Sequence, residues 1–273
     1  MADTVGSLPG HDAEDTKNSI PAGALRPRPA ASEFVPGSRE YMDAVRHSVS
    51  AILRRMDEAC DRSGRDRGSV TLLGVTKFHP PEAVTAAYAA GIRIFGENRV
   101  QEADSKFPAL RGTMPGATVH LLGHLQSNKA RKAVEVFDAV QSIDSERILI
   151  ELAKRADSAG RIMDVVFELH TGEESKTGYQ TINDLLSGVR LARSLPSLRP
   201  RGLMTMAPYT DDSATIRASF RFCRTVWLQA RDVAGSETFD TISMGMTNDY
   251  ELAIEEGATM IRIGTAIFGE RRS

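Results

Sequence analysis

From Ser38 onward the apolar positions fall into two alternating rhythms. Val45, Val49, Ile52, Leu53 and Met56 recur at helical spacing and predict an amphipathic helix over residues 41–61. Short apolar runs then alternate with helical segments. The runs predict strands over 70–75, 92–95, 118–122, 139–143, 164–169, 202–206, 241–244 and 260–264. The intervening segments predict helices over 81–90, 100–107, 129–136, 145–159, 181–194, 213–233 and 249–256. The helix before the first strand is placed to fill the gap after the last.

Strict alternation of strand and helix implies a parallel sheet. Eight such units suit closure into a single (β/α)8 barrel of the TIM type, about 250 residues being typical. A doubly wound open sheet is the alternative, but no G-x-G-x-x-G follows the first strand. Residues 1–36 break the rhythm. Five of the 12 prolines lie there, and large apolar residues are sparse. Such a segment buries too little surface to offset its ordering entropy, so it is expected to be a disordered extension ahead of a barrel over 37–273.

Composition narrows the function. The 273 residues carry 34 Lys+Arg against 36 Asp+Glu, a formal charge of −2. This near balance gives no general electrostatic reason to bind nucleic acid or an anionic membrane. The two cysteines, Cys60 and Cys223, match no metal-ligand spacing and no disulfide framework. No apolar run of about 18 residues is present to predict a transmembrane helix. The N-terminus shows no basic segment leading into an apolar stretch. The expected compartment is the cytoplasm.

In a parallel barrel the chemistry sits in the loops after the strands. The first strand runs into Thr76-Lys77-Phe78-His79, so Lys77 emerges at the barrel mouth or in solvent. Among apolar walls a lysine amine has its charged form disfavoured, which suits Schiff-base formation. Gly96-Glu97-Asn98 with Gln101-Glu102, and the run from His120 to Lys129, supply polar candidates for the walls. His120 and His124 straddle a strand end and a loop, so no metal pair is expected of them. The loop from Glu173 to Gly178 is equally a cover for the mouth or an ordinary polar loop.

The end of the chain is more informative. Strand seven leads into Ser243-Met244-Gly245-Met246-Thr247-Asn248-Asp249, and strand eight into Arg262-Ile263-Gly264-Thr265. The loops after strands seven and eight are the usual phosphate site of this fold. Gly245 and Gly264 let backbone N–H groups approach an anion, and Ser243 and Thr265 add hydroxyls. By strand alternation Arg262 shares a face with Gly264 and points into the barrel. A lysine amine opposite a phosphate cradle suits a phosphorylated aldehyde such as pyridoxal 5′-phosphate, and on these grounds alone a phosphosugar fits almost as well.

Seven ordered motifs over roughly residues 40–270 resemble the pyridoxal-phosphate homeostasis protein family. They are Val75-Thr76-Lys77, Gly96-Glu97-Asn98 with Gln101-Glu102, His120 to Lys129, Ser175-Lys176-Thr177-Gly178, Gly202-Leu203-Met204, Ser243 to Met246 with Asp249, and Arg262-Ile263-Gly264-Thr265. The resemblance implies a barrel similar to the N-terminal domain of bacterial alanine racemase. It implies pyridoxal 5′-phosphate held by Lys77 as a Schiff base. Ser243, Gly264 and Thr265 then hold the phosphate, Arg262 faces the pyridine nitrogen, and Asn98 and Met204 complete the cofactor set. Glu168-Leu169-His170-Thr171-Gly172 departs from the asparagine-containing strand end common in the family.

The resemblance further implies a binding protein that limits free reactive aldehyde and passes cofactor to apo-enzymes, as a monomer or weak dimer. An amino-acid racemase using the same cofactor is the alternative, and a phosphosugar-type barrel enzyme a second. Racemisation needs acid–base groups on both faces of the substrate carbon. Only four residues follow Gly269, so no second domain is expected to supply the other base. No residue is assigned a catalytic role.

Overall fold

The computed structural model describes residues 29–172, 177–235 and 237–270. Eight parallel strands close into one barrel in sequence order. They are β1 (Thr71–Val75), β2 (Ile94–Glu97), β3 (Thr118–Leu121), β4 (Ala139–Ile143), β5 (Met163–Glu168), β6 (Leu198–Met204), β7 (Thr241–Ser243) and β8 (Met260–Ile263). The ring closes where Thr71 of β1 pairs with Met260 of β8. The helices are α1 (Arg39–Arg62), α2 (Pro81–Ala89), α3 (Val100–Leu110), α4 (Ala130–Val136), α5 (Glu146–Ser158), α6 (Ile182–Arg193), α7 (Ser213–Ala234), α8 (Tyr250–Glu255) and the short α9 (Thr265–Phe268). α1 packs against both α2 and α8, filling the gap as its position in the sequence suggests.

Local chemistry sets the ends of these elements. The Ser38 hydroxyl accepts the Tyr41 N–H at 3.1 Å and caps α1, and the Asp212 carboxylate caps α7 through Ala214 and Thr215. Gly235, at φ 55, terminates α7. The helix expected to stop at residue 107 continues to Leu110 through Pro108. β6 begins at Leu198, four residues before the expected start, and its register slips from Pro200 to Gly202 opposite Val165 and Val166. That bulge accommodates a proline that has no N–H to give the ladder. Gly202 then lies so close to β7 that a Cβ would sit 1.8 Å from the Thr241 carbonyl oxygen.

Residues 29–36 correct the expected boundary of the extension. Ala31–Glu33 form a 3₁₀ turn with Ala31 buried, packed on α1 and α9. Among the described residues packing therefore begins at Ala31 rather than after residue 36, and residues 1–28 lie outside the described residues. Among the described residues no helix is long and apolar enough to cross a membrane.

Candidate functional site

The ends of β1, β6, β7 and β8 surround a cavity of about 590 Å³ at the C-terminal mouth of the barrel. Lys77, Met246, Thr247, Asn248, Gly264 and Thr265 all line it. Arg262 reaches the cavity from within the barrel. Four of the seven expected residues, Lys77, Arg262, Gly264 and Thr265, therefore share one space.

Lys77 is half-buried and stands two residues beyond the end of β1. The turn after it is unusual, because Phe78 has φ 64, rare for a bulky residue. The Glu102 carboxylate accepts the Phe78 N–H and the Lys106 ammonium, the latter at 3.2 Å. Lys106 also donates to Glu97 at 2.7 Å and to the Thr76 carbonyl at 2.9 Å. The Thr76 hydroxyl donates to the same Glu97 oxygen at 2.7 Å. The strand end that presents Lys77 is thus fastened to β2 and α3. Burial raises the Glu97 carboxyl above its ordinary range, opposed by the adjacent Lys106 charge.

Two strands round the barrel from Lys77, the Met246–Asp249 loop curls on itself. The Asp249 carboxylate accepts the Met246 N–H, and the Met246 carbonyl accepts the N–H groups of Asp249 and Tyr250. Burial raises Asp249, with the Met246 N–H and the Arg262 charge acting against it. Gly245, at φ 94, lets the loop press onto α8, since a Cβ there would lie 2.6 Å from Ala253 Cβ and 2.9 Å from Tyr250 Cα. The Thr247 hydroxyl accepts the Ala266 N–H at 3.4 Å and ties the two loops together. The N–H groups of Thr247, Asn248 and Thr265 have no acceptor among the described residues. Open donors in a cavity wall are what an anionic group needs.

Arg262 is 5% exposed. Its Nη1 donates to the Ser243 carbonyl at 2.6 Å and to the Ser243 hydroxyl at 2.9 Å, and its Nη2 donates to the Thr205 carbonyl at 2.8 Å. Burial lowers its pKa to about 10, so the guanidinium stays charged at neutral pH. Two of its five N–H groups have no acceptor among the described residues.

Three expected residues lie elsewhere. Ser243 is fully buried beneath Arg262, and its hydroxyl donates to Gln141 at 2.7 Å rather than into the cavity. Met204 is buried in β6, where its carbonyl accepts the Leu169 N–H. Asn98 lines a separate depression with Arg99, Gln101, His124, Gln126 and Lys129, and its backbone packs so tightly on Gly123 that a Cβ there would meet the Asn98 oxygen at 2.2 Å. The two histidines diverge, His120 toward the barrel axis at Gln141 and His124 to Asp144 at 2.8 Å. Of the loop from Glu173 to Gly178, residues 173–176 lie outside the described residues, and Thr177 donates to Glu168 at 2.7 Å.

Thr247 and Asn248 are cavity residues that the sequence reading did not single out. The signal was their place after strand seven, and the serine at the strand's last position drew the assignment instead.

Residues 47–272 match the family described as "Alanine racemase, N-terminal domain", so the chain is a barrel of that class. Solved alanine racemases share the fold alone: the Streptomyces coelicolor enzyme is 21% identical at a TM-score of 0.64, over 84% of this chain and 59% of that one. Closer relatives place the chain further. A pyridoxal phosphate homeostasis protein from Aquifex aeolicus is 37% identical over 228 residues, 82% of this chain and 97% of the relative. One from Vibrio cholerae is 38% identical over 233 residues, 84% and 98% of the two chains. PipY of Synechococcus elongatus, solved with PLP bound, is 38% identical at a TM-score of 0.72, covering 82% of this chain and all of that one. The chain belongs to the pyridoxal phosphate homeostasis protein family.

Proposed function

We propose that this chain binds pyridoxal 5′-phosphate in the mouth cavity and acts inside the cell to hold and hand on that cofactor. The observation that carries this reading is the convergence of Lys77, Arg262 and the open donors of Thr247, Asn248 and Thr265 on one cavity of about 590 Å³. The residues fit the group. Gly264 leaves the wall open where a Cβ would approach the Val75 oxygen at 3.1 Å, and the neighbouring Met246–Asp249 loop offers N–H groups to a phosphate.

Bound there, the cofactor would supply an aldehyde carbon suited to a primary amine. Lys77 supplies that amine, held in place by the fastened strand end. Thr265 and the Met246–Asp249 loop take the phosphate. Arg262 would hold the ring nitrogen through its remaining N–H groups; as a pure donor it would orient the ring without giving up its proton. Ser243 acts beneath Arg262 rather than on the phosphate. Apo-enzymes that use the cofactor are the recipients, and the chain works as a monomer or weak dimer.

The test is an absorbance spectrum of the purified protein before and after borohydride, followed by peptide mapping. A yellow chromophore fixed by reduction on Lys77, and absent from Lys77→Ala, is the expected result. A colourless protein that takes up no added pyridoxal phosphate overturns the reading and returns the cavity to a phosphosugar-type ligand.

A further inference from the structure

The interior of a (β/α)8 barrel is ordinarily packed with branched apolar side chains. Here a line of polar side chains crosses it instead. Arg262 of β8 donates to the Ser243 hydroxyl of β7 at 2.9 Å, which donates to Gln141 Oε1 of β4 at 2.7 Å. Gln141 Nε2 lies 2.8 Å from His120 Nδ1 of β3. At the upper end Arg262 lines the mouth cavity. At the lower end His120 and Gln141 line a second cavity, of about 480 Å³, among the strand starts at Thr71, Thr118, Asp164 and Thr241.

We propose that Gln141 and His120 are positioning residues for Arg262, acting through Ser243 along a hydrogen-bond chain that runs in one direction only. The direction follows from donor and acceptor inventories. A guanidinium has only donors, so the Ser243 oxygen must accept from Arg262. Its single proton then goes to Gln141 Oε1. That fixes the amide, which points its NH2 at His120 Nδ1 and, at 3.2 Å, at the Met260 sulfur. Nδ1 must therefore accept, and the neutral imidazole carries its proton on Nε2, the nitrogen 3.5 Å from the Thr118 hydroxyl.

Each link constrains the next. If His120 gained a proton on Nδ1, two donors would meet and the bond to Gln141 would be lost. Turning the amide to repair it would place NH2 against the Ser243 hydroxyl, whose proton would lose its acceptor. Ser243 would then no longer hold Arg262 as it does. The buried members of the line, Arg262, Ser243 and Gln141, are favourable there only when each is satisfied. Enclosure in the barrel pushes the imidazole down to about 4, opposed by Asp138 and Asp164 and assisted by Arg201, so the chain stays intact at neutral pH.

The first arm of the test needs no cofactor. Nitrogen NMR of the histidine rings in the unliganded protein, with His120 assigned by its loss in His120→Asn, should show the Nε2–H form. In Gln141→Glu the carboxylate accepts from both neighbours, and His120 should move its proton to Nδ1 or take up a second. An Nδ1–H ring in the unaltered protein, or no change in Gln141→Glu, overturns the proposal. The second arm rests on the cofactor reading. Gln141→Leu should weaken pyridoxal phosphate about tenfold, the loss of roughly one buried hydrogen bond, and leave unchanged the affinity for the analogue whose ring nitrogen is replaced by C–H. Equal weakening of both ligands would assign Gln141 a packing role and overturn the proposal. Failure of the unaltered protein to bind pyridoxal phosphate would defeat the cofactor reading, and the tautomer arm would still decide the chain's direction.

Discussion

Lys106 Nζ lies 2.7 Å from Glu97 Oε1 and 2.9 Å from the Thr76 carbonyl, so one buried ammonium holds both the carboxylate at the end of β2 and the residue before Lys77. The second Glu97 oxygen is buried without a hydrogen-bond partner, which leaves Lys106 as the cation compensating the carboxylate. Removing it in Lys106→Ala should cost ~3–5 kcal/mol at neutral pH, the typical penalty for stranding a buried charge. The pH dependence has a definite sign. Burial already raises Glu97 above its ordinary 4.5, and loss of Lys106 raises it further. The folded variant then binds a proton that the unfolded chain does not, so its stability should rise as pH falls from neutral toward 4.5. Urea unfolding across that range checks this; a deficit independent of pH would show that Lys106 acts by packing. Glu97→Gln in the same background should recover part of the loss at neutral pH.

Thr265 and Ser243 should separate cleanly. Thr265 lines the cavity, so Thr265→Ala should weaken pyridoxal phosphate about tenfold and leave pyridoxal, which lacks the phosphate, unaffected. The Ser243 hydroxyl already joins Arg262 to Gln141, so Ser243→Ala should weaken both ligands to a similar degree. Fluorescence titration of the two vitamers against both variants measures this. A phosphate-selective defect in Ser243→Ala would place its hydroxyl on the phosphate after all.

The N-terminal boundary has a direct test. Ala31 is buried, and the turn it begins sits so close to α9 that a Cβ on Gly269 would meet the Ser32 oxygen at 2.2 Å. A chain beginning at Pro29 retains this contact, and one beginning at Ser38 loses it. The shorter chain should lose roughly 1–2 kcal/mol and melt roughly 2–8 °C lower than the chain from Pro29. Equal melting temperatures would show that the turn contributes nothing to stability.

The barrel was legible because its signal is repeated. Eight apolar runs separated by helical periods leave few parallel topologies, and β4 matches its expected bounds, 139–143. The largest boundary shifts fell where proline stood: at Pro108 the helix continued, and the strand that carries Pro200 and its bulge starts early. Lys77, Arg262, Gly264 and Thr265 were legible because strand ends in a closed barrel converge by geometry. Ser243 was not, because a strand's last residue faces either the mouth or the interior, and the choice depends on Gln141, 102 positions away. The partner of a buried hydroxyl is a tertiary fact that local pattern does not carry. Ala31 escaped in part for the same reason, since the turn it begins packs on α9 at the far end of the chain as well as on α1.

Amino-acid turnover at an enzymatic rate is not expected. Carbanion chemistry on a pyridine cofactor draws on a protonated ring nitrogen, and the residue proposed to face that nitrogen is Arg262. Its pKa, about 10 after lowering by burial, is still far too high for the proton to pass to a pyridine. Its guanidinium is further fixed by the Ser243 carbonyl and hydroxyl and by the Thr205 carbonyl, so it supplies a hydrogen bond and no more. Racemisation also needs a second acid–base group held on the face opposite Lys77. Tyr209 lines the cavity, but it is 99% exposed and makes no hydrogen bond among the described residues, so nothing fixes its hydroxyl at a reacting carbon. Deuterium wash-in at the α-carbon, with chiral analysis of alanine and serine over hours, should therefore show exchange well below about 1 s⁻¹, the lower end of ordinary enzyme rates. Exchange at or above that rate, abolished in Lys77→Ala, would establish a racemase and show that Arg262 does not keep the ring from acting as an electron sink.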